Sequence, residues 1–146
     1  MEQQNYFCSI NANVMPKEAF NKINDVSGWW AKHLEGNTGS LNDVFTVRFG
    51  ESQTYVTFQV TESVPGKKIV WDVIDCHLHW IEAKKEWNGT QMVFDISGGK
   101  DSTKIDITHV GLLPEHECYN DCEAGWNHHL KTSLVKFLDE NKGVPV

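Results

Sequence analysis

The sequence predicts an α+β fold in which a curved antiparallel sheet of six to seven strands wraps around a long C-terminal helix, with two short helices after the first strand. Three observations predict this fold class. Several short segments alternate apolar and polar residues, which is typical of strands buried on one face. The connections between them are short, so that neighbouring strands pair antiparallel. Only the last segment carries a helical apolar stripe wide enough to cover a sheet.

The N-terminal part predicts one strand followed by two short helices. One face of the segment "NYFCSINANV" carries five residues at a spacing of two: Tyr6, Cys8, Ile10, Ala12 and Val14. Pro16 then suits the first turn of a helix, and apolar residues recur after it at helical spacing. The segment "NDVSGWWAKHL" continues as a second short helix or turn that carries Trp29 and Trp30.

The middle of the chain predicts a meander of antiparallel strands. The segments "DVFTVRFG", "TYVTFQVTESV" and "KKIVWDVIDC" alternate in the same way, with turns expected at residues 50–52 and at Pro65-Gly66. In "KKEWNGTQMVFDIS", Asn88-Gly89 predicts a type I′ hairpin turn between two strands, because that turn needs positive φ at both central residues. The last predicted strand is "TKIDITHVGLL".

From Pro114 onward the pattern predicts one long helix that ends near Gly143 and Pro145. At about 100° per residue, eight residues fall on one broad face, while His128 points away. These residues are Cys118, Cys122, Trp126, His129, Leu130, Ser133, Leu134 and Phe137. We expect this face to lie on the sheet and to leave a space beneath it unless large side chains fill that space.

Composition and charge limit the classes of partner. The chain has 13 basic and 20 acidic residues and a formal net charge of −7, with no block of like charge, which disfavours nucleic acids. No apolar stretch approaches membrane-spanning length and no secretory signal begins the chain, so we expect a cytoplasmic protein without membrane insertion. In that compartment the four cysteines are expected to be thiols. Residues 1–146 are predicted to form a single domain.

Three segments carry a resemblance to known proteins: "MPKEAFNKINDVSGWW", "VPGKKIVWDVIDCHLHW" and "GLLPEHECYNDCEAGWNHHLKTSLVKFLDENKG". With the element order, they resemble the helix-grip superfamily of START domains, Bet v 1 pollen allergens and polyketide cyclases. More narrowly, the chain is similar to the bacterial branch that resembles the C-terminal domain of the activator of Hsp90 ATPase. This resemblance implies a cavity between sheet and long helix that binds apolar or amphipathic small molecules, often without catalysis.

The segment "CYNDCEAGWNHHL" first suggests a metal or redox site. However, Cys118 and Cys122 lie one helical turn apart, whereas structural zinc sites pair their cysteines on tight turns with a second pair. Since cysteine packs as a small apolar residue in most cores, packing is the favoured interpretation, with a redox thiol and a metal site as alternatives. His77 and His79 would share one face of a strand, but two ligands do not complete a site. We predict no metal and no cofactor.

A catalytic site would need an acid and a base, or a nucleophile and a base, that converge on the cavity. Carboxylates do occur on predicted strands, but no pattern assembles them, and the sequence contains no phosphate-binding loop, serine elbow or zinc-protease motif. These carboxylates are Asp72, Asp75, Glu82 and Asp106. An enzyme is therefore the less favoured class, and no catalytic residue is assigned. His129, on the inner face, is expected to form a hydrogen bond within or beside the cavity.

The tryptophans leave two alternatives open. They either line the space under the helix or fill and close it, because rings that line a cavity and rings that fill a core give the same sequence pattern. The five concerned are Trp30, Trp71, Trp80, Trp87 and Trp126. Combined with the strand faces, they predict a ligand cavity formed by Trp30, Phe45, Val47, Phe58, Trp71, Phe94, Ile107, Cys118, Cys122, Trp126 and His129.

Three functions are compatible with these expectations. The favoured hypothesis is a noncatalytic domain that binds an apolar or aromatic small molecule, such as a lipid or a polyketide. The first alternative is a cyclase or dehydratase that uses the same cavity, with cavity carboxylates or His129 as acid and base. The second is an interaction module similar to the Hsp90 activator domain, whose protein partner the sequence does not identify.

Overall fold

The secondary structure follows the predicted order in the computed structural model, which describes residues 5–49, 53–79, 82, 84–112 and 119–145. The strands are β1 (Tyr6–Ala12), β2 (His33–Gly36), β3 (Val44–Arg48), β4 (Tyr55–Val64), β5 (Lys68–His77), β6 (Gln91–Gly98) and β7 (Thr103–Val110). The helices are α1 (Pro16–Asn24), α2 (Val26–Trp29), α3 (Tyr119–Trp126), a π-helical segment (Asn127–Leu134) and α4 (Val135–Glu140). We call residues 119–140 together the C-terminal helix. No helix among the described residues is both long enough and apolar enough to span a membrane.

All seven strands form one antiparallel sheet in the order β1-β7-β6-β5-β4-β3-β2. The inner face of β4 carries Val56, Phe58 and Val60, each at most 1% exposed, as the alternating pattern predicts. The register between β4 and β5 shifts twice, after Thr57 and after Val60, and such irregularities bend a sheet. The predicted α+β helix-grip fold is therefore confirmed.

The segment after the two tryptophans differs from its prediction. His33 and Leu34 were placed in the second short helix or turn, but they belong to β2, which pairs with β3 along its whole length. A strand of four residues has too little alternation to be recognised in sequence. Pairing with β3 supplies the hydrogen bonds that decide its conformation.

The hairpin prediction at Asn88-Gly89 is wrong. Gly89 has a φ of 83°, but Asn88 does not share a positive φ, and residues 84–89 form turns instead of a strand. The reason is the register of the sheet: β6 begins at Gln91, opposite Asp72, so the chain must first return from the far end of β5. During this return Trp87 becomes buried beneath the C-terminal helix, where it contacts Trp126.

The C-terminal helix is continuous from residue 119 to 140, but its middle is π-helical. The predicted start at Pro114 lies outside the described residues. An ideal α-helix places Phe137 on the buried face; here Leu138 is 1% exposed and Phe137 is only partly buried. The wider i→i+5 turns shift the buried face of the helix by one residue toward the C-terminus. π-helical turns are rare in proteins, and those that occur often lie at functional sites.

Candidate ligand cavity

A cavity of about 270 Å³ lies between the C-terminal helix and one end of the sheet. The sheet contributes the end of β5 and the start of β4, and the opposite wall comes from α3 and the π-helical segment. Tryptophans from three separate parts of the chain complete the wall. The lining residues are Trp30, Phe49, Thr54, Val56, Leu78, Trp87, Asp121, Cys122, Gly125, Trp126 and His129.

Five of the eleven lining residues carry rings, and the ring of Trp126 packs against those of Trp30, Trp87 and His129. Its ring centroid lies 4.9 Å from that of Trp30 and 5.7 Å from that of Trp87, to which it is nearly parallel. The imidazole of His129 lies 6.2 Å from Trp30 and 6.3 Å from Trp126, edge-on to the latter. Such ring contacts stabilise the wall beyond the burial of apolar area alone.

A buried series of hydrogen bonds links the ring of Trp126 to the backbone of Trp87. The indole N–H of Trp126 donates to Nδ1 of His109 at 3.1 Å. Nδ1 is therefore an acceptor, which places the imidazole proton on Nε2, 2.8 Å from the hydroxyl oxygen of Thr90. The Thr90 hydroxyl in turn donates to the carbonyl of Trp87 at 2.6 Å. The series therefore connects the indole of Trp126 and the backbone of Trp87 to His109, a fully buried residue of β7.

Trp30 is held from the other side, through α2. The indole of Trp29 donates to the carbonyl of Ile23 at 3.0 Å, which ties α2 to α1. Ser133, buried in the π-helical segment, donates its hydroxyl proton to the carbonyl of Trp29 and accepts the N–H of Val144 at 2.7 Å. α2 is thus tied to the C-terminal helix at Trp29, the residue directly before Trp30.

A further contact fixes the start of the π-helical segment. The hydroxyl of Tyr6 in β1 donates to the side-chain oxygen of Asn127 at 2.8 Å. Burial is the main cause that raises the pKa of Tyr6, so its hydroxyl keeps its proton and remains the donor. The π-helical segment is thus anchored to β1 by Asn127 and to α2 by Ser133, and His129 lies between these two anchors.

His129 is the ionisable group of this wall whose pKa is most clearly displaced. Burial first, and the neighbouring His128 second, lower the pKa of His129 from 6.5 to about 4. The imidazole is therefore neutral at neutral pH. Its Nδ1 atom is buried and has no hydrogen-bond partner within the described part of the chain. An unpartnered buried nitrogen is unusual in a native protein and calls for an explanation.

The structure places the predicted cavity residues in two groups. Trp30, Cys122, Trp126 and His129 lie on the wall, and Cys118 lies outside the described residues. Trp80, a candidate among the tryptophans, is also outside them. The other predicted residues are buried in the core and do not line this cavity: Phe45, Val47, Phe58, Trp71, Phe94 and Ile107.

Several wall residues were not among the predicted cavity residues. Phe49, Thr54 and Leu78 lie at or beyond the ends of strands, where alternation no longer indicates which way a side chain points. His109, which positions the wall, is the inward residue two places after Ile107 on β7, so the alternation of that strand does mark it as buried. A histidine at an inward position of an alternating strand is the signal that would have found it.

The cysteines and histidines do not form a metal site in the described structure. Cys8 and Cys76 are buried free thiols, and burial is the main cause that raises the pKa of both, which makes them poor nucleophiles. Cys122 is buried on the cavity wall. The rings of His77 and His79 lie 6.1 Å apart on the strand end, and no group of three or more possible ligands surrounds a common point among the described residues.

Solved structures share this fold over nearly the whole chain. The Aha1 dimer from Colwellia psychrerythraea has a TM-score of 0.76 and 20% identity, with 95% of this chain and 98% of that chain covered. CalU16 from Micromonospora echinospora has a TM-score of 0.65 and 12% identity, with 90% and 71% covered. DynU16, a protein of the dynemicin biosynthetic locus, has a TM-score of 0.69 and 15% identity over 97% of this chain, which spans 49% of its length. At these identities the likeness shows the fold alone.

Sequence comparison identifies the family more narrowly. No curated protein matches the chain. A family profile, described as Activator of Hsp90 ATPase homolog 1-like protein, matches residues 18–139. The match extends from α1 to the last turn of the C-terminal helix and includes all but one strand of the sheet. The predicted resemblance is thus confirmed, and the chain belongs to the family of Activator of Hsp90 ATPase homolog 1-like proteins.

Proposed function

We propose that this domain binds a small apolar or aromatic molecule in the cavity between its sheet and its C-terminal helix, without catalysis. The observation that carries the proposal is a wall of three tryptophans whose positions are fixed independently of any ligand. The indole of Trp126 is tied to β7 through His109, and the backbone carbonyl of Trp87 accepts a hydrogen bond from Thr90. Trp30 directly follows Trp29, whose carbonyl accepts a hydrogen bond from Ser133 in the helix. Pre-formed concave sites with apolar and aromatic walls and few polar groups are typical of small-molecule binding.

The chemistry of His129 favours binding over catalysis. A general base is most effective when its pKa lies near the working pH, whereas the pKa of His129 is lowered to about 4. A base this weak removes protons poorly at neutral pH. Among the described residues of the wall, the remaining ionisable side chains are the thiol of Cys122 and the carboxylate of Asp121, which is exposed. A cyclase or dehydratase would need a better acid–base pair than these groups provide.

The proposal is tested by filling the cavity. Gly125 lines the cavity, and a Cβ atom built on it meets no atom within 4 Å. We therefore expect Gly125→Leu to extend a side chain into the space without a clash. Wild-type protein is screened by thermal shift and tryptophan fluorescence against uncharged and amphipathic aromatic and aliphatic compounds, and native mass spectrometry of gently purified protein identifies any molecule that co-purifies.

We expect saturable binding by the wild type and none by Gly125→Leu, with circular dichroism showing that the variant is folded. Gly125→Ala is the matched control, because a methyl group occupies little of the cavity. If no compound of the panel binds and nothing co-purifies, or if Gly125→Leu binds as well as the wild type, the proposal fails. The family description names the Hsp90 ATPase, so the wild type and Gly125→Leu are both tested for binding to Hsp90 by pull-down. Equal binding of Hsp90 by the two would indicate an interaction surface that does not depend on the cavity.

A further inference from the structure

The charge of the cavity wall restricts its ligand, if the proposed function holds. Among the described residues that line the cavity there is one carboxylate, Asp121, and no lysine or arginine. The chain as a whole carries a formal charge of −7. An anionic group in the cavity would lose its hydration without gaining a cationic partner, which is costly. A fatty acid or an aromatic carboxylate that places its charge inside the cavity is therefore a poor candidate, although apolar chains or rings alone would suit the wall.

The hydrogen-bonding state of His129 indicates which polar group a ligand should carry. A neutral imidazole has one N–H donor and one bare nitrogen. Because Nδ1 is buried without a partner among the described residues, a proton there would leave a buried donor unpaired, which is rarer in proteins than an unpaired acceptor. The proton is therefore held on Nε2. Since His129 lines the cavity, Nε2–H is the donor that the ring can offer to a bound molecule.

The size and shape of the cavity limit the size and shape of its ligand. A cavity of about 150 Å³ binds one benzene ring in other proteins. The present cavity of about 270 Å³ is less than twice as large. It is lined by the near-parallel rings of Trp87 and Trp126 and by the tilted ring of Trp30. A flat molecule of about two fused rings matches this volume, whereas a sterol or a four-ring polyketide exceeds it.

We infer that the ligand is an uncharged, flat aromatic molecule of about two rings with a hydrogen-bond acceptor, such as an aromatic ketone or lactone, whose oxygen accepts the Nε2 proton of His129. The inference deepens the proposed function, and it assigns to His129 a role in ligand recognition. Trp30 and Trp126 supply the apolar contact on either side of this imidazole.

Three naphthalenes of similar size test the inference: 2-acetylnaphthalene, which has a ketone oxygen, 2-isopropylnaphthalene, which has no acceptor, and 2-naphthoate, which is charged. Affinities are measured by calorimetry, and the indole N–H resonances of the tryptophans report where each compound binds. One hydrogen bond predicts that the ketone binds about fivefold more tightly than the hydrocarbon. The carboxylate is expected to bind at least about tenfold more weakly than the ketone.

His129→Phe keeps a ring on the wall and removes the donor, so it should equalise the ketone and the hydrocarbon while both still bind. His128→Phe changes the exposed neighbour and should preserve the preference. Equal affinities in the wild type, a preference that survives His129→Phe, or binding of 2-naphthoate as tight as the ketone overturns the inference. If the hydrocarbon binds and Gly125→Leu blocks it, the proposed function stands even then. If none of the three compounds binds while others of the panel do, only the inference falls.

Discussion

Two groups of aromatic rings pack on the same face of the sheet, but one fills the core and the other lines a cavity. The closed cluster consists of Phe45, Phe58, Trp71 and Phe94, each at most 1% exposed, with neighbouring centroids 4.9 to 5.5 Å apart. The open cluster consists of Trp30, Trp87, Trp126 and His129, and it lines a cavity of about 270 Å³. The closed cluster has three phenylalanines and one tryptophan, whereas the open cluster has three tryptophans and a histidine, whose ring nitrogens can form hydrogen bonds.

The difference lies in how the rings are held. In the open cluster the indole N–H of Trp126 is bonded to His109, and backbone carbonyls next to its tryptophans accept hydrogen bonds from Thr90 and Ser133. In the closed cluster the indole N–H of Trp71 has no hydrogen-bond partner among the described residues. The directional hydrogen bonds of the open cluster restrict where its residues can pack, whereas the phenylalanine rings of the closed cluster form no such bonds and pack only by contact with their neighbours.

The largest expected effect is the loss of a ring from the closed cluster. Trp71→Ala should lower the free energy of unfolding by about 3 to 5 kcal/mol, because a fully buried ring is lost and a cavity remains. Phe49→Ala, on the wall of the open cluster and only partly buried, should cost about 1 kcal/mol, because space is already present beside it. Urea denaturation at one pH measures both. Equal losses would contradict the distinction between the two clusters.

The second prediction concerns pH and His129. Because the pKa of His129 falls from 6.5 in the unfolded chain to about 4 in the folded one, the unfolded state takes up the proton first as pH falls. The stability from this group is fully present above pH 6.5 and is lost as pH falls from 6.5 to about 4. After allowance for partial exposure, we expect a loss of about 2 kcal/mol over that interval. The measurement is urea denaturation across this range for the wild type and His129→Phe.

The carboxylates titrate in both the wild type and His129→Phe. The difference between their free energies of unfolding at each pH therefore reports the contribution of His129 alone. His128→Phe serves as the control, since burial is the larger cause of the lowered pKa of His129 and most of the loss should remain. A difference that stays constant from pH 7 to pH 4 would show that His129 titrates normally, and the open cluster would then be wetter than its geometry indicates.

Most of the fold follows from the sequence because each inner face has a clear local period. Burial in β1 alternates along all seven of its residues, and α1 begins at Pro16 as predicted. Local patterns failed where a tertiary contact decides: β2 is defined by its pairing with β3, and the turn at Gly89 by the register between β5 and β6. The π-helical turns were also missed, since the residues that fix them, Tyr6 and Trp29, are distant in sequence.

The candidate site was predictable only in part for a related reason. Alternation tells which face of a strand is buried but not how far along the strand the cavity lies. Phe58 and Val56 therefore had the same pattern, although Phe58 packs in the closed cluster and Val56 lines the cavity. The helix was more informative: Cys122, Trp126 and His129 all lie on the wall, because one helical stripe faces one region of the sheet.

Two helical glycines extend the comparison, one beside the cavity and the other where α2 packs against the C-terminal helix. Gly125 faces the cavity, and a Cβ atom there meets nothing within 4 Å, so Gly125→Ala should stabilise the protein by about 0.8 to 1 kcal/mol through helix propensity. Gly28 in α2 packs against the ring of Phe137, where a Cβ atom would lie 2.5 Å from the nearest ring carbon. Gly28→Ala should therefore destabilise the protein by about 1 to 3 kcal/mol, although the substitution is the same. Thermal and urea unfolding measure both signs. Stabilisation by both alanines would mean that the ring of Phe137 yields easily, and that packing away from the cavity is no tighter than the packing around it.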